Sequence, residues 1–180
     1  MPRSAIVVVS LLLTTGLAGA QGVPPKEAAP LDAIVSELYA SVSHAAGTAP
    51  DFDRMRRIVH PSGKFVPPKA PDAADFRAMT VDQFAERIEK FIAERKAKGQ
   101  PLSGFFEREI ARRTDCFGNV CHVFSTYESR HSATDATPFE RGINSIQLVH
   151  DGKRWWIVSV VWDAERPSNP IPAPYLPAKP

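Results

Sequence analysis

Between Arg112 and His131 the sequence RRTDCFGNVCHVFSTYESRH holds both cysteines of the chain, a Gly-Asn pair between them, and then Tyr127, Glu128, Arg130 and His131 in close succession. Such residues could ligate a metal, cycle thiols or move protons. Two cysteines alone make a poor zinc site. His122 and His131 could add ligands, but His122 falls on the opposite strand face from Cys121, so no metal is expected. Gly118-Asn119 suits a two-residue hairpin turn with glycine first. Phe117 then faces Val120, and Cys116 faces Cys121 in a non-hydrogen-bonded pair, the close kind. Such a pair comes near the Cβ separation of roughly 3.5–4.5 Å that a disulfide needs. The expectation is a disulfide that staples the hairpin, with free thiols and then metal or redox chemistry as the alternatives, and a chain-entropy contribution of about 2 kcal/mol.

Extending that register sets Glu109 against Glu128 and Glu107 against Arg130. Opposed carboxylates repel; on a buried face one of them would hold its proton near neutral pH and could serve as a general acid. The competing reading is a solvated face, with Arg108, Arg112, Arg113 and Arg130 at hand. Tyr127 lies on the cysteine face and brings a hydroxyl to an otherwise apolar region, either for a ligand or as a core tyrosine with one satisfied hydrogen bond. On the last hairpin a tight Asp151-Gly152 turn pairs Asn144 with Ser159 and Arg141 with Trp162, and puts Ser145 and Gln147 on the face of Arg141 among Trp156, Val158 and Val160. A few polar groups amid aromatics describe a ligand pocket and describe an interface equally well. The candidate ligand-binding set is therefore Tyr127, Glu128, Arg130, Arg141, Asn144, Gln147 and Trp162. No catalytic residue is assigned. Gly-x-Ser-x-Gly, P-loop, dinucleotide and His-Glu-x-x-His patterns are all missing from the sequence, and no cofactor is expected.

Three helices must carry one side of such a site. Leu31, Ile34, Val35, Leu38 and Val42 form an apolar stripe at helical spacing, ended by Gly47. Asp51 can cap a second, short helix that buries Phe52, Met55, Ile58 and Val59 and stops at Pro61, with His60-Pro61-Ser62-Gly63 as a turn. Thr80 and Gln83 make a capping-box pattern ahead of a third, whose inner face is Val81, Phe84, Ile88, Phe91 and Ile92, closed by Gly99 and Pro101. The period then changes to that of strands over Phe105–Thr114, Cys121–Arg130, Ile143–His150 and Arg154–Asp163. Helices followed by antiparallel strands make an α+β domain with helices on one face of a curved sheet. The last strand, WWIVSVVW, is apolar on both faces. Its outer face calls for a cover, either a second copy of the chain or the C-terminal tail.

The ends bound the compartment. Arg3, the apolar run from Ala5 and Ala18-Gly19-Ala20 read as an export signal over residues 1–20, cut after Ala20. Residues 21–30 read as a flexible leader, 31–166 as the domain, and 167–180 as an extended Pro-rich tail lying on the surface, with Ile171, Tyr175 and Leu176 as anchors. The expected location is periplasmic or secreted, with no membrane segment in the mature form. A net charge of +2, with basic residues scattered among acids, speaks against nucleic acid as a partner.

Three stretches, MRRIVHPSGKF, CHVFSTYESRH and RGINSIQLVHDGKRWWIVSVVWD, resemble the nuclear transport factor 2-like superfamily, which includes SnoaL-like proteins and ketosteroid isomerase. The resemblance covers about Leu31 to Asp163. It implies a cone-shaped fold, a cavity between helices and concave sheet, and often a homodimer through the sheet. Members include enzymes, small-molecule binders and dimerisation modules, so fold does not choose among them. The tyrosine and two aspartates of the isomerases have no matching motif here. The leading expectation is an exported domain that binds a small, largely apolar ligand in that cavity. The alternatives are a general acid–base enzyme using the same cavity and a module for self-association or partner binding.

Overall fold

The computed structural model describes residues 25–70 and 73–178, with side chains from Pro30 onward; the expected signal segment lies outside them. Three helices, α1 (Pro25–Val42), α2 (Phe52–Ile58) and α3 (Val81–Ala97), pack on five strands: β1 (Val59–Val66), β2 (Phe106–Phe117), β3 (Val120–Arg130), β4 (Glu140–His150) and β5 (Trp155–Ala164). Helix α1 reaches back to Pro25, into the stretch expected to be a flexible leader; proline is tolerated in a first helical turn, where its missing N–H costs nothing. The caps are the expected ones. Asp51 accepts from the Arg54 N–H, and Thr80 and Gln83 close a reciprocal box.

Sheet order is β1-β5-β4-β3-β2. All pairings are antiparallel except β1 with β5, which is parallel. Strand β1 corrects the sequence reading, which made residues 60–63 a turn. Pro61 and Gly63 both disfavour strand, yet they are accommodated because β1 is an edge strand whose register with β5 breaks between Val59 and Lys64.

Two further corrections concern register. Cys116 opposes Cys121 and Phe117 opposes Val120 as expected, and the disulfide is formed, with Cα atoms 4.2 Å apart. Beyond Ala111, however, Ile110 is an extra residue, so Glu109 opposes Tyr127 and Glu107 opposes Ser129. Glu128 instead faces Arg108, and Arg130 faces Phe106. A bulge inverts every side chain that follows it, because the strand period is two. Glu107 and Glu109 thereby join Tyr127 on the helix-facing side. On the last hairpin Asp151 to Arg154 form a four-residue connection, not the two-residue turn expected, and Val158 bulges as well. Asn144 therefore opposes Trp162, and Gln147 opposes Ser159.

The core lies between helices and concave sheet face. Leu31, Val35 and Leu38 of α1 and Met55 of α2 meet Val123, Ile146, Leu148 and Ile157 of the strands. The outer face is partly covered by the tail. Tyr175, in a single 3₁₀ turn (Ala173–Tyr175), sets its ring edge-on to Phe124, centroids 5.0 Å apart. Thr126 Oγ1 donates to the Tyr175 carbonyl (2.6 Å) and Arg113 Nε to that of Pro174 (3.0 Å). Ile171 is buried, and its N–H donates to Glu165, which Arg141 holds at 2.7 Å. Nearer the hairpin tip the same face leaves Phe117, Val120 and Val149 exposed, Phe117 at 88%. Removing the tail after Arg166 is expected to cost about 2 kcal/mol, the worth of one buried isoleucine, and to promote association through the bared strands. Urea unfolding and sedimentation of the truncated chain check this; unchanged stability with unchanged mass would show the tail to be an appendage.

Candidate functional site

Helix α3 carries an apolar stripe, but only its first half finds the sheet. Val81 and Ala85 are buried, and Phe84 and Ile88 pack partly against the core, while Phe91 is 52% exposed. Beneath the second half lies a cavity of about 630 Å³, lined by Phe84, Ile88, Ile92, Phe105, Val160 and Trp162 among others. Its size and apolar walls suit a small organic ligand.

Polar groups gather on the floor. The β2 bulge turns Glu107 inward, and β3 and β4 supply Tyr127, Asn144 and Glu140. Asn144 Nδ2 donates to Glu107 Oε1 (3.2 Å), Ser129 Oγ to Glu107 Oε2 (3.3 Å), and the Tyr127 hydroxyl to Glu140 Oε1 (3.1 Å). Glu107 is open to the cavity but otherwise enclosed by protein. Burial pushes its carboxyl up to about 7; the bonds from Asn144 and Ser129 oppose the rise, and the neighbouring Glu140 adds to it. Burial likewise raises the hydroxyls of Tyr127 and Tyr39, so both remain hydrogen-bond donors throughout the neutral range.

A hydrogen-bonded chain behind the floor fixes its polarity. Arg112 holds Glu109 at 2.8 Å and also pairs with Asp32 at the surface. Glu109 accepts from Ser125, which leaves the Ser125 oxygen to accept from the Tyr39 hydroxyl at 2.6 Å. Tyr39 in turn accepts from Asn144 Nδ2 at 3.2 Å. The amide thus presents its NH₂ to both Tyr39 and Glu107, and Glu107 is always met by a donor.

At the mouth, His131 stacks on Phe139 (4.2 Å between centroids) and His44 on Phe105 (6.2 Å). Each imidazole has Nδ1 on a backbone carbonyl, which assigns the proton to Nδ1. Arg87 and Arg95 of α3 also line the opening, and Arg95 is tied to the Pro101 carbonyl.

Of the residues singled out in the sequence, Tyr127, Asn144 and Trp162 line this cavity. The other four are not among its lining residues. Glu128, 7% exposed, sits between Arg108 and Arg130 on the outer face; burial raises its carboxyl, but the two guanidiniums outweigh that and hold it below its ordinary value. Arg141 serves the Glu165 latch of the tail, and Gln147 is exposed on the outer face. Glu107 and Glu140, which do line it, were missed: nothing local in the sequence marks Ile110 as a bulge, and Glu140 precedes the strand as read.

No family model matches the chain, and no curated protein does. Solved structures do. An NTF2-like protein of unknown function from Shewanella baltica superposes with a TM-score of 0.55 at 11% identity, over 78% of this chain and 95% of that one. A candidate aromatic ring hydroxylase from Novosphingobium aromaticivorans gives 0.56 at 9% identity over 81% and 94%. A candidate ketosteroid isomerase from Parabacteroides distasonis gives 0.50 at 10% over 77% and 87%. The chain therefore has the fold of the nuclear transport factor 2-like superfamily: helices on a curved five-stranded sheet, enclosing a cone. Among the described residues no helix is long and apolar enough to cross a membrane, and the disulfide is compatible with an extracellular location.

Proposed function

We propose that this is an exported domain that binds a small, largely apolar molecule in the cone, its polar group held on the floor by Glu107, Tyr127 and Asn144. The observation that carries the reading is the cavity itself: a long apolar stripe on α3 that lines it, over a floor with few polar groups, where Tyr127 and Asn144 are held as donors. The test uses N-phenyl-1-naphthylamine, a neutral apolar dye that fluoresces when shielded from water. It should brighten with the wild-type protein and not with Ile88→Trp, which fills the cavity. Equal brightening in a folded I88W protein would refute cavity binding. Native mass spectrometry of the protein from its own cells reads, in one measurement, any co-purified ligand, a mature start at Gln21 and a mass of one chain or two, the last bearing on a homodimer through the uncovered part of the sheet.

A second reading, general acid–base catalysis, is favoured by one observation: the Glu107 carboxyl, raised to about 7, can exchange a proton near neutral pH beside the Tyr127 hydroxyl donor. A ketone bound in the cavity would then exchange its α-hydrogens for solvent deuterium in the wild type and not in Glu107→Gln.

A further inference from the structure

The acids of the sheet divide into two groups. Glu109 is paired with Arg112, Glu128 with Arg108 and Arg130, Asp163 with Arg166, and Glu165 with Arg141. Among the described residues, Glu107 and Glu140 have no such partner, and they are the two acids that line the cavity. Elsewhere on the sheet every carboxylate that is not fully open to solvent has an arginine, and only the exposed Asp115 of β2 goes without one; at the floor the chain supplies neutral donors only, from Asn144, Ser129 and Tyr127. An enclosed carboxylate without a counter-charge must take up a proton or meet a cation brought from outside. The walls above it, independently, suit a cation: Phe84, Phe105, Phe139 and Trp162 all border the space, and aromatic faces attract positive charge most strongly where water is excluded. The arginines nearest the ligand path, Arg87 and Arg95, are at the mouth and not on the floor.

We propose that the cavity selects lipophilic ammonium compounds, an apolar body carrying a primary or secondary amine whose N–H groups are donated to Glu107 and Glu140. This rests on the cavity-binding reading above and adds the sign of the ligand's charge. An ammonium offers two or three donors, which matches two carboxylates that line the cavity and keep lone pairs beyond those taken by Asn144, Ser129 and Tyr127. It also relieves the repulsion between them, so each carboxylate binds the amine better for the presence of the other.

Displacement of bound N-phenyl-1-naphthylamine by octylamine, octanol and octanoate, measured at pH 8 and low salt, separates the outcomes. All three have eight carbons and differ in the head group. The expected result is displacement by octylamine at about tenfold lower concentration than by octanol, the worth of one charge-assisted hydrogen bond in an enclosed site. Glu107→Gln and Glu140→Gln should each erase most of that preference, read within each variant as the ratio of the octanol to the octylamine concentration that displaces the dye. Equal potency of octylamine and octanol would overturn the proposal and leave cavity binding intact. A preference for octanoate would overturn it in favour of control by Arg87 and Arg95. A wild type that never binds the dye would remove the cavity-binding reading, and the proposal with it.

Discussion

Replacing Gly142 by alanine should destabilise the protein by about 3 kcal/mol and disable the floor of the cavity together. Gly142 sits on β4 opposite Tyr127 of β3. A Cβ at this position would lie 2.6 Å from Tyr127 Cζ and also collide with the Tyr127 hydroxyl and the Asp163 carbonyl oxygen. The tyrosine is 1% exposed and can yield only toward the cavity it lines, and the carbonyl belongs to the paired strand β5. Either the ring leaves, breaking its bond to Glu140, or the β4–β5 pairing opens. Urea unfolding of G142A measures the stability change, and the neutral dye reports the floor. In a double mutant with Tyr127→Ala, part of the cost should return, because the ring clash is gone and the carbonyl clash remains. A G142A protein within 1 kcal/mol of wild type with normal dye binding would mean that Tyr127 is not wedged as described.

The second large effect is on pH dependence. The Glu107 carboxyl stands at about 7 in the folded protein against an ordinary value of 4.5, so the folded chain holds its proton more tightly than the unfolded chain. Stability from this group is therefore fully present below about pH 4.5 and is lost as pH rises through about 7; above that it no longer changes. At about 1.4 kcal/mol for each unit, the loss is about 3 kcal/mol. The groups that face it, Glu140, Tyr127, Tyr39, Asn144 and Ser129, include no cation to reverse the sign. Glu107→Gln removes the titration, since the amide can accept from Asn144 and donate to Ser129. The difference in unfolding free energy between wild type and E107Q should be near zero at pH 4.5 and should grow to about 3 kcal/mol in favour of E107Q at pH 8. A flat difference across that range would show that Glu107 is solvated and is not the enclosed acid on which both the binding and the acid–base readings depend.

The sequence marked Tyr127 as a site residue but neither Gly142 nor Glu107, and the reason is physical. What the sequence determined by itself is local. Asp51, Thr80 and Gln83 fix two helix starts because a cap bonds within three residues of itself. Gly118-Asn119 fixes the β2–β3 turn, and with it the opposition of Cys116 and Cys121, because register next to a tight turn leaves no freedom. The period change from Phe105 gives an α+β domain of helices then strands, and the quoted stretches resemble a superfamily whose fold the structure has.

The tertiary structure decided the rest. The bulge at Ile110 reverses Glu107 and Glu109 from the outer face to the inner one, where Glu109 meets Arg112 and Ser125, a contact that depends on the neighbouring strand and not on local sequence. The four-residue Asp151–Arg154 connection and the bulge at Val158 likewise place Asn144 opposite Trp162, beyond the reach of any local rule. Strand β1 forms despite Pro61 and Gly63 because β5 offers it a parallel edge. The apolar stripe of α3 reads as core in the sequence, and only tertiary packing, which buries Val81 and Ala85 and leaves Ile88, Phe91 and Ile92 along the cavity, turns its second half into a cavity wall. Hydrophobic periodicity records which face is apolar. It does not record whether another side chain or a ligand lies opposite, because both satisfy it equally.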